Sequence, residues 1–203
     1  MKPVRAIRPG VIKVPLPDTC QQTDFTCGAS CFQAIAGYFG VIPTDWDEDD
    51  LRSLMGIASD VGAHPHNIMA GITYFGLRRK QIWPMTDTEL FRFLDRGIPV
   101  MMMLQAWRDI DLRRKRWEGW LSEWDNGHWV AAIGYDRDGV YFEDPSLAAT
   151  RGFLTHEQLF LRWHDVGPYW HRPYEKYMYQ YGVAIWKAPI RKPPYYRRVA
   201  FIE

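Results

Sequence analysis

The sequence predicts an α+β fold, with helices in the N-terminal half packed on an antiparallel sheet. Three observations predict it. Apolar residues recur at helical spacing through Ala29, Phe32, Ile35, Ala36 and Phe39 in the first part of the chain. A continuous apolar run, Ile98 to Leu104, has the length of a central strand buried on both faces. Two strand-like runs, Asn126 to Asp136 and Val140 to Ser146, flank a tight turn at Arg137-Asp138-Gly139, the pattern of an antiparallel hairpin.

The elements follow in order. Residues 1–19 are punctuated by Pro3, Pro9, Pro15 and Pro17 and read as extended along the body, with Val11-Ile12-Lys13-Val14 as an edge strand. The helix that begins near Cys27 is stopped by Gly40 and Pro43. Thr44-Asp45-Trp46-Asp47 reads as a variant capping box opening a helix through about Ile57. The acidic residues around it, Asp45 to Asp50, read as a solvated first turn, with binding of a basic peptide as the competing reading. Asn67 to Phe75 is a further helix closed by Gly76, and His64-Pro65-His66 is the loop before it. Thr86 and Glu89 cap a helix through Leu94 that stops at Gly97.

Between the apolar strand and the hairpin lies an insertion, Trp107 to about Asn126, where arginines and a lysine interleave with Trp107, Trp117, Trp120 and Trp124. The spacing of the last three makes an amphipathic helical segment, either a wall of a substrate cleft or a flap over the sheet edge. Thr155-His156-Glu157-Gln158 opens a helix through Trp163, with His156 and His164 at the surface. Gly167 to Gln180 reads as a loop, Tyr181 to Trp186 as the last strand, and the basic, Pro/Tyr-rich tail from about Pro189 as extended. No internal repeat or low-complexity linker divides the chain, so residues 1–203 read as one domain.

Composition narrows the function classes. A chain of 203 residues, 47% hydrophobic and 24% charged, can bury a proper core. A formal net charge of +1 gives no electrostatic case for nucleic acid or membrane binding. No apolar run is long enough to span a bilayer, and Met1 to Pro9 lacks the apolar middle of a signal peptide, so cytoplasmic residence is the expectation. Three cysteines, an odd count, do not make a disulfide framework, and none has the partners of a zinc site. No metal or cofactor is expected, and the sequence leaves the oligomeric state open. Cys31, one turn beyond Cys27, reads as a small buried core residue, whereas Cys20 could pair with Cys27 under oxidation.

The chemistry concentrates in Gln21-Gln22-Thr23-Asp24-Phe25-Thr26-Cys27-Gly28. A cysteine at the first turn of a helix faces unsatisfied backbone N–H groups, which favour thiolate over thiol. Gly28 leaves room for a substrate backbone to approach the sulfur. Gln21 is a neutral amide donor suited to a developing oxyanion, with Gln22 as the alternative. In the hairpin, His128 opens the first strand and Asp144 closes the second, so the carboxylate can hold the imidazole tautomer. A cysteine on a helix tip, a histidine on a strand and an orienting carboxylate make the constellation of a thiol hydrolase. Trp129 either shields the His–Asp hydrogen bond from water or packs the core.

At these residues the chain resembles the C39 and C39-like peptidases, within the papain-like cysteine peptidase superfamily. The resemblance is carried by Gln21, Cys27-Gly28-x-x-Cys31, Gly127-His128-Trp129-Val130, Gly134-Tyr135-Asp136 and Asp144-Pro145, and covers roughly residues 15–165. It implies a papain-like fold, Cys27 as nucleophile, His128 as general base, Asp144 as its orienting partner and Gln21 in the oxyanion hole. It also implies a peptide or protein substrate, with cleavage after a double glycine in a leader peptide as the family default. The chain departs from the pattern at Thr26, where transporter-linked members usually carry an aspartate.

Two other activities remain open on the same residues. A papain-like acyltransferase, transglutaminase-like enzyme or ligase would use the triad but exclude water, and an added amine nucleophile would separate it from a peptidase. A non-catalytic C39-like module would bind peptides without needing the cysteine, and a Cys27→Ala protein would then keep its full effect.

Overall fold

The computed structural model describes residues 6–43, 45–58, 62–107, 119–167 and 177–188. The N-terminal half contributes four helices and one strand: α1 (Cys27–Tyr38), α2 (Glu48–Met55), α3 (Pro65–Tyr74), β1 (Arg78–Ile82) and α4 (Asp87–Leu94). The remainder is strand-rich: β2 (Val100–Gln105), β3 (Gly127–Tyr135), β4 (Gly139–Glu143), β5 (Gly152–Thr155), α5 (His156–Arg162), β6 (His164–Val166), β7 (Tyr177–Tyr179) and β8 (Gly182–Trp186). Six strands form one sheet in the order β1-β8-β2-β3-β4-β5, every neighbouring pair antiparallel. The pair β6-β7 forms a second, small sheet. This is the α+β arrangement that the helical and strand periodicities anticipate.

The sheet is organised around β2. All of its residues from Val100 to Gln105 are buried, as a run without polar alternation requires, and β8 and β3 flank it. Helix α1 packs on β3, α2 and α3 pack on α1, and α5 lies on β4 and β5. Phe32, Ile35, Leu51, Ile68 and Ile72 carry the helix layer of the core. Their removal from water, together with that of the β2 and β3 side chains, is the main force holding helices to sheet.

The stops fall where the sequence puts them. Gly40 takes φ 60° and lets the Val41 N–H return to the Ala36 carbonyl. Thr86 accepts from the Glu89 N–H while Glu89 accepts from Thr86, a complete capping box for α4.

Other expectations are corrected. The box that opens α2 is Asp47 with Asp50, because the extended backbone at Asp47 presents its carboxylate to the Asp50 N–H; Thr44, expected to open it, lies outside the described residues. Glu48 is not part of a solvated turn: it is buried and accepts from the Gln22 backbone N–H at 3.1 Å. His64, read as loop, caps α3, its N–H donating to Asn67 Oδ1.

Val11 to Val14 do not form a strand. They touch β3 through one bridge, Ile12 to Gly134, and the Lys13 and Val14 N–H groups share the Ile133 carbonyl. A bulge between Ala132 and Gly134 opens that carbonyl, and any side chain at Gly134 would collide with the Val11 backbone. His164 is fully buried, not at the surface, with Nε2 against the Glu123 carbonyl at 2.8 Å. Part of the expected 167–180 loop is strand β7, paired with β6.

Of the Trp107–Asn126 insertion, residues 108–118 lie outside the described residues, as does the tail from 189. The part that is described is not a continuous helix: a short 3-10 turn at Trp120–Ser122 ends in extended backbone at Glu123. Trp124 packs against His164, Tyr177 and Tyr179. No helix among the described residues is long and apolar enough to cross a membrane.

Candidate active site

Cys27 is the first residue of α1 and is 6% exposed. Thr26 precedes it, but its hydroxyl is engaged with Thr23, accepting from the Thr23 N–H and donating to the Thr23 carbonyl, both at 3.1 Å. No side chain caps α1 and no acidic residue occupies its first turn. The amides at this helix start are therefore left to whatever negative charge sits beside them, and Cys27 is the residue in place.

Gly28 is explained differently from the expectation. It is buried within the fold, where an added Cβ would overlap Ala63 and press on Trp129. A glycine stands here for packing of α1, not for substrate approach. Trp129 likewise packs: it is buried and its indole N–H donates to the Ala63 carbonyl at 2.7 Å.

The β3–β4 hairpin brings His128 and Asp144 together as anticipated. His128 Nε2 lies 2.7 Å from Asp144 Oδ1, and the imidazole is 2% exposed. The same carboxylate oxygen accepts from the Ser146 N–H at 3.0 Å and the Ser146 hydroxyl at 2.7 Å. Burial pushes Asp144 up, yet the His128 and Ser146 interactions outweigh it and hold the carboxyl below its ordinary range. Burial drives the His128 imidazole toward neutrality, but Asp144 and the Cys27 side chain prevail and raise its pKa to about 9. The other ring nitrogen, Nδ1, is buried and lacks a hydrogen bond of good geometry. The Cys27 side chain is among the groups that raise the His128 pKa, so it lies within electrostatic reach of the imidazole.

Gln21 joins this group through its backbone, its N–H donating to the Pro145 carbonyl at 2.9 Å, one residue beyond Asp144. Its side chain is turned into its own loop, with Nε2 donating to the Thr23 carbonyl at 2.8 Å and Oε1 buried without a partner. The amide carries a second N–H that this bond does not use. Gln22 is held by its backbone to Glu48. Cys31 is fully buried, its Sγ 3.2 Å from the Trp129 carbonyl. Burial, then the charges of Cys27 and Asp144, push its thiol well above the ordinary range, as suits an inert core cysteine. Cys20 is exposed and unlinked.

Four residues around the site escaped the sequence reading. Gln105, at the end of β2, is fully buried and joins three elements: Oε1 accepts from the Asn126 N–H, while Nε2 donates to the His164 carbonyl and to Asp165 Oδ1. Asp165 lies against Gly127, where an added Cβ would fall 2.4 Å from its Oδ2. Burial raises the Asp165 pKa to about 6, against the lowering pull of Val166, Gln105 and His128.

Arg162, at the end of α5, donates from Nε to the Gln105 carbonyl at 2.7 Å. Glu143, fully buried beside Asp144, pairs with Arg151 and accepts from the Thr19 N–H at 2.8 Å. A polar residue ending an apolar strand, as at Gln105 and Glu143, was the available signal for two of them. Nothing in the local pattern marks Asp165 or Arg162.

Trp107 completes the surroundings. It follows β2 at φ 48°, an unusual conformation for a bulky residue, and its ring centroid lies 4.4 Å from that of His128. It is 54% exposed, and its ring lies tilted against the buried imidazole. Within the insertion, Trp107 thus sits beside His128, whereas Trp124 packs against His164, Tyr177 and Tyr179.

The profile of the Peptidase C39 like family matches residues 13–168. Among solved structures, a Bacillus anthracis protein described as a C39-like peptidase superposes with a TM-score of 0.61 at 18% identity, covering 87% of this chain and 97% of that one. A double glycine motif protease from an AMS/PCAT transporter, solved in complex with a leader peptide, superposes at 0.54 and 14% identity, covering 85% and 92%. The peptidase domain of Streptococcus ComA, a bifunctional ABC transporter in a quorum-sensing pathway, superposes at 0.53 and 16%, covering 83% and 96%. No curated protein sequence matches the chain. At these identities the structures speak for the fold, and the family follows from the profile, which spans well over half of the sequence. The chain belongs to the C39-like peptidase family.

Proposed function

We propose that the chain is a cysteine peptidase in which Cys27 is the nucleophile, His128 the general acid and base, and Asp144 the residue that orients His128. The observation that carries the reading is the 2.7 Å His128–Asp144 hydrogen bond on an imidazole that also feels Cys27, at the uncapped start of α1. With its pKa raised to about 9, His128 is an imidazolium at neutral pH and holds the proton that a leaving amine needs.

The sulfur attacks the scissile carbonyl, forming the C–S bond as the carbonyl π electrons move onto oxygen. That oxyanion is met by the Cys27 backbone N–H and by the free N–H of the Gln21 amide. Collapse breaks the C–N bond while His128 delivers its proton to the departing amine. Water then gives a proton to His128, attacks the thioester and releases the acid, restoring sulfur and imidazolium. Ser146 and the Glu143–Arg151 pair fix Asp144, and Gln105 fixes the start of β3, so both partners arrive pre-oriented.

A double-glycine peptide is the substrate class to test first. The similarity to a protease of that specificity supports it, as does the Trp107 ring over His128, which narrows the space beside the base. The deciding experiment is a peptide-library cleavage profile of the wild type beside Cys27→Ala, with iodoacetamide alkylation read by mass spectrometry. Cleavage lost with Cys27, together with alkylation at Cys27 well before Cys31, is the expected result. Undiminished cleavage by Cys27→Ala, or equal alkylation of all three cysteines, overturns the mechanism.

A further inference from the structure

Among the described residues, Arg162 is a charge without a counter-ion. Its Nε is fixed by the Gln105 carbonyl at 2.7 Å, and its guanidinium lies 4.3 Å from the ring centre of Trp120. Among the described residues it forms no ion pair, and its Nη groups make no hydrogen bond. Asp144, the carboxylate whose charge reaches it, is already taken by His128 and Ser146. Burial pushes the guanidinium pKa down to about 10, although the charge of Asp144 reaches it and opposes the fall. A partly buried cation without a counter-ion carries an uncompensated desolvation cost, which a bound carboxylate would offset.

The position is informative as well. Gln105, which anchors Arg162, pairs across the sheet with Gly127, the neighbour of His128. The guanidinium is therefore tied one strand position away from the proposed base. Trp107 over His128 and Trp120 over Arg162 come from the same insertion, so a substrate passing the base meets two aromatic faces and an open fork of N–H donors. An arginine held by Nε and stacked on a ring has already lost most of its rotamer freedom, which makes it a pre-organised receptor for a carboxylate.

We propose that Arg162 is a specificity-determining residue that binds a carboxylate of the peptide substrate close to the scissile bond. The inference rests on the cysteine peptidase reading for its substrate class. The carboxylate could be an acidic side chain or a free C-terminus, and the chemistry of recognition is the same for both.

The test uses capped nonapeptides built on an Ala-Gly-Gly-Ala centre. One Glu is walked through the flanking positions, each peptide beside its Gln twin, and a second set carries a free or an amidated C-terminus. The measured quantity is the ratio of kcat/KM for each acidic peptide to that of its neutral twin. A charge-assisted, two-pronged contact predicts a preference of about tenfold to a hundredfold at one register. The ratio should fall toward one in Arg162→Gln and recover in part in Arg162→Lys, which restores charge but not the fork. Because each ratio is internal to one protein, a general folding defect cancels.

The same peptides are titrated onto Cys27→Ala with tryptophan fluorescence as the readout, which needs no turnover. An acidic preference in binding with no cleavage by the wild type would support the anchor while overturning the peptidase reading. No preference in either measurement, or one that survives Arg162→Gln, overturns the anchor.

Discussion

Asp165→Asn isolates a charge that the fold holds at a cost. The carboxyl is buried against Gly127, with Gln105 Nε2 at 3.0 Å and the Val166 N–H at 2.8 Å on the same oxygen, and its pKa rises from 3.8 to about 6. The folded protein therefore binds this proton more tightly than the unfolded chain does. That contribution is fully present below the unfolded pKa and is lost as pH rises through about 6. A rise of about two units corresponds to ~3 kcal/mol at 1.36 kcal/mol per unit.

Asparagine keeps the accepting oxygen for Gln105 and Val166 but brings an amide N–H₂ without a partner, costing about 1 kcal/mol. The variant should thus be more stable than the wild type by about 1–2 kcal/mol near pH 8. Near pH 4.5 it should be equal or slightly less stable, because the wild-type carboxyl is then neutral. Urea denaturation of both proteins at about pH 4.5, 6 and 8 reads the difference, and titrations common to both cancel. Stability curves that run parallel across this range would refute the burial cost assigned to Asp165.

The remaining predictions concern the base, its approach and its support. The raised His128 pKa places the loss of the imidazolium near pH 9, so kcat/KM should fall above that pH. Asp144→Asn should move this limb downward and lower kcat by roughly a hundredfold to ten-thousandfold, as a pH–rate profile would show. Stability follows the same sign: the His128 contribution is complete below about pH 6.5 and is lost as pH rises through about 9. Gly127→Ala forces a methyl onto the Asp165 carboxylate, which Gln105 and Val166 prevent from retreating, and should cost about 1–3 kcal/mol in urea denaturation. Glu143→Ala leaves the Arg151 charge without its buried partner and should cost about 3 kcal/mol. The Glu143 variant should also lower kcat more than it raises KM, since Asp144 follows directly on the strand end that Glu143 pins.

Much of the frame was legible in the sequence because it follows from local periodicity. The apolar run of β2, the turn at Gly139 and the stop at Gly40 each carry their own signal. His128 and Asp144 could be paired from sequence because a hairpin fixes which strand ends meet. Elements without a local signal were missed. Strand β1, Arg-Arg-Lys-Gln-Ile, has no apolar alternation and becomes a strand only because β8 offers an unpaired edge. Strands β6 and β7, three residues each, are too short to show a period. Gly28 was given a role at the substrate when its neighbours in space, Ala63 and Trp129, lie far along the chain.

The polar residues missed around the site share one physical cause. Gln105, Asp165, Glu143 and Glu48 are each satisfied by a partner distant in sequence: His164 and Asn126, Gln105, Thr19 and Arg151, and Gln22. A buried polar group is tolerated only where such partners converge, so its presence marks where separate chain segments are pinned to one another. Here the pins hold the Gln21–Gln22 loop, the end of β4 and the start of β3, which are the segments that carry Gln21, Asp144 and His128. Arg162 belongs to the same ring of pins through Nε, yet among the described residues its charge has no counter-ion. A purely structural arginine would be expected to close its fork on a carboxylate of the fold, and Asp144, whose charge reaches it, is already committed to His128 and Ser146. That asymmetry separates Arg162 from its neighbours and is what a carboxylate of a bound substrate would resolve.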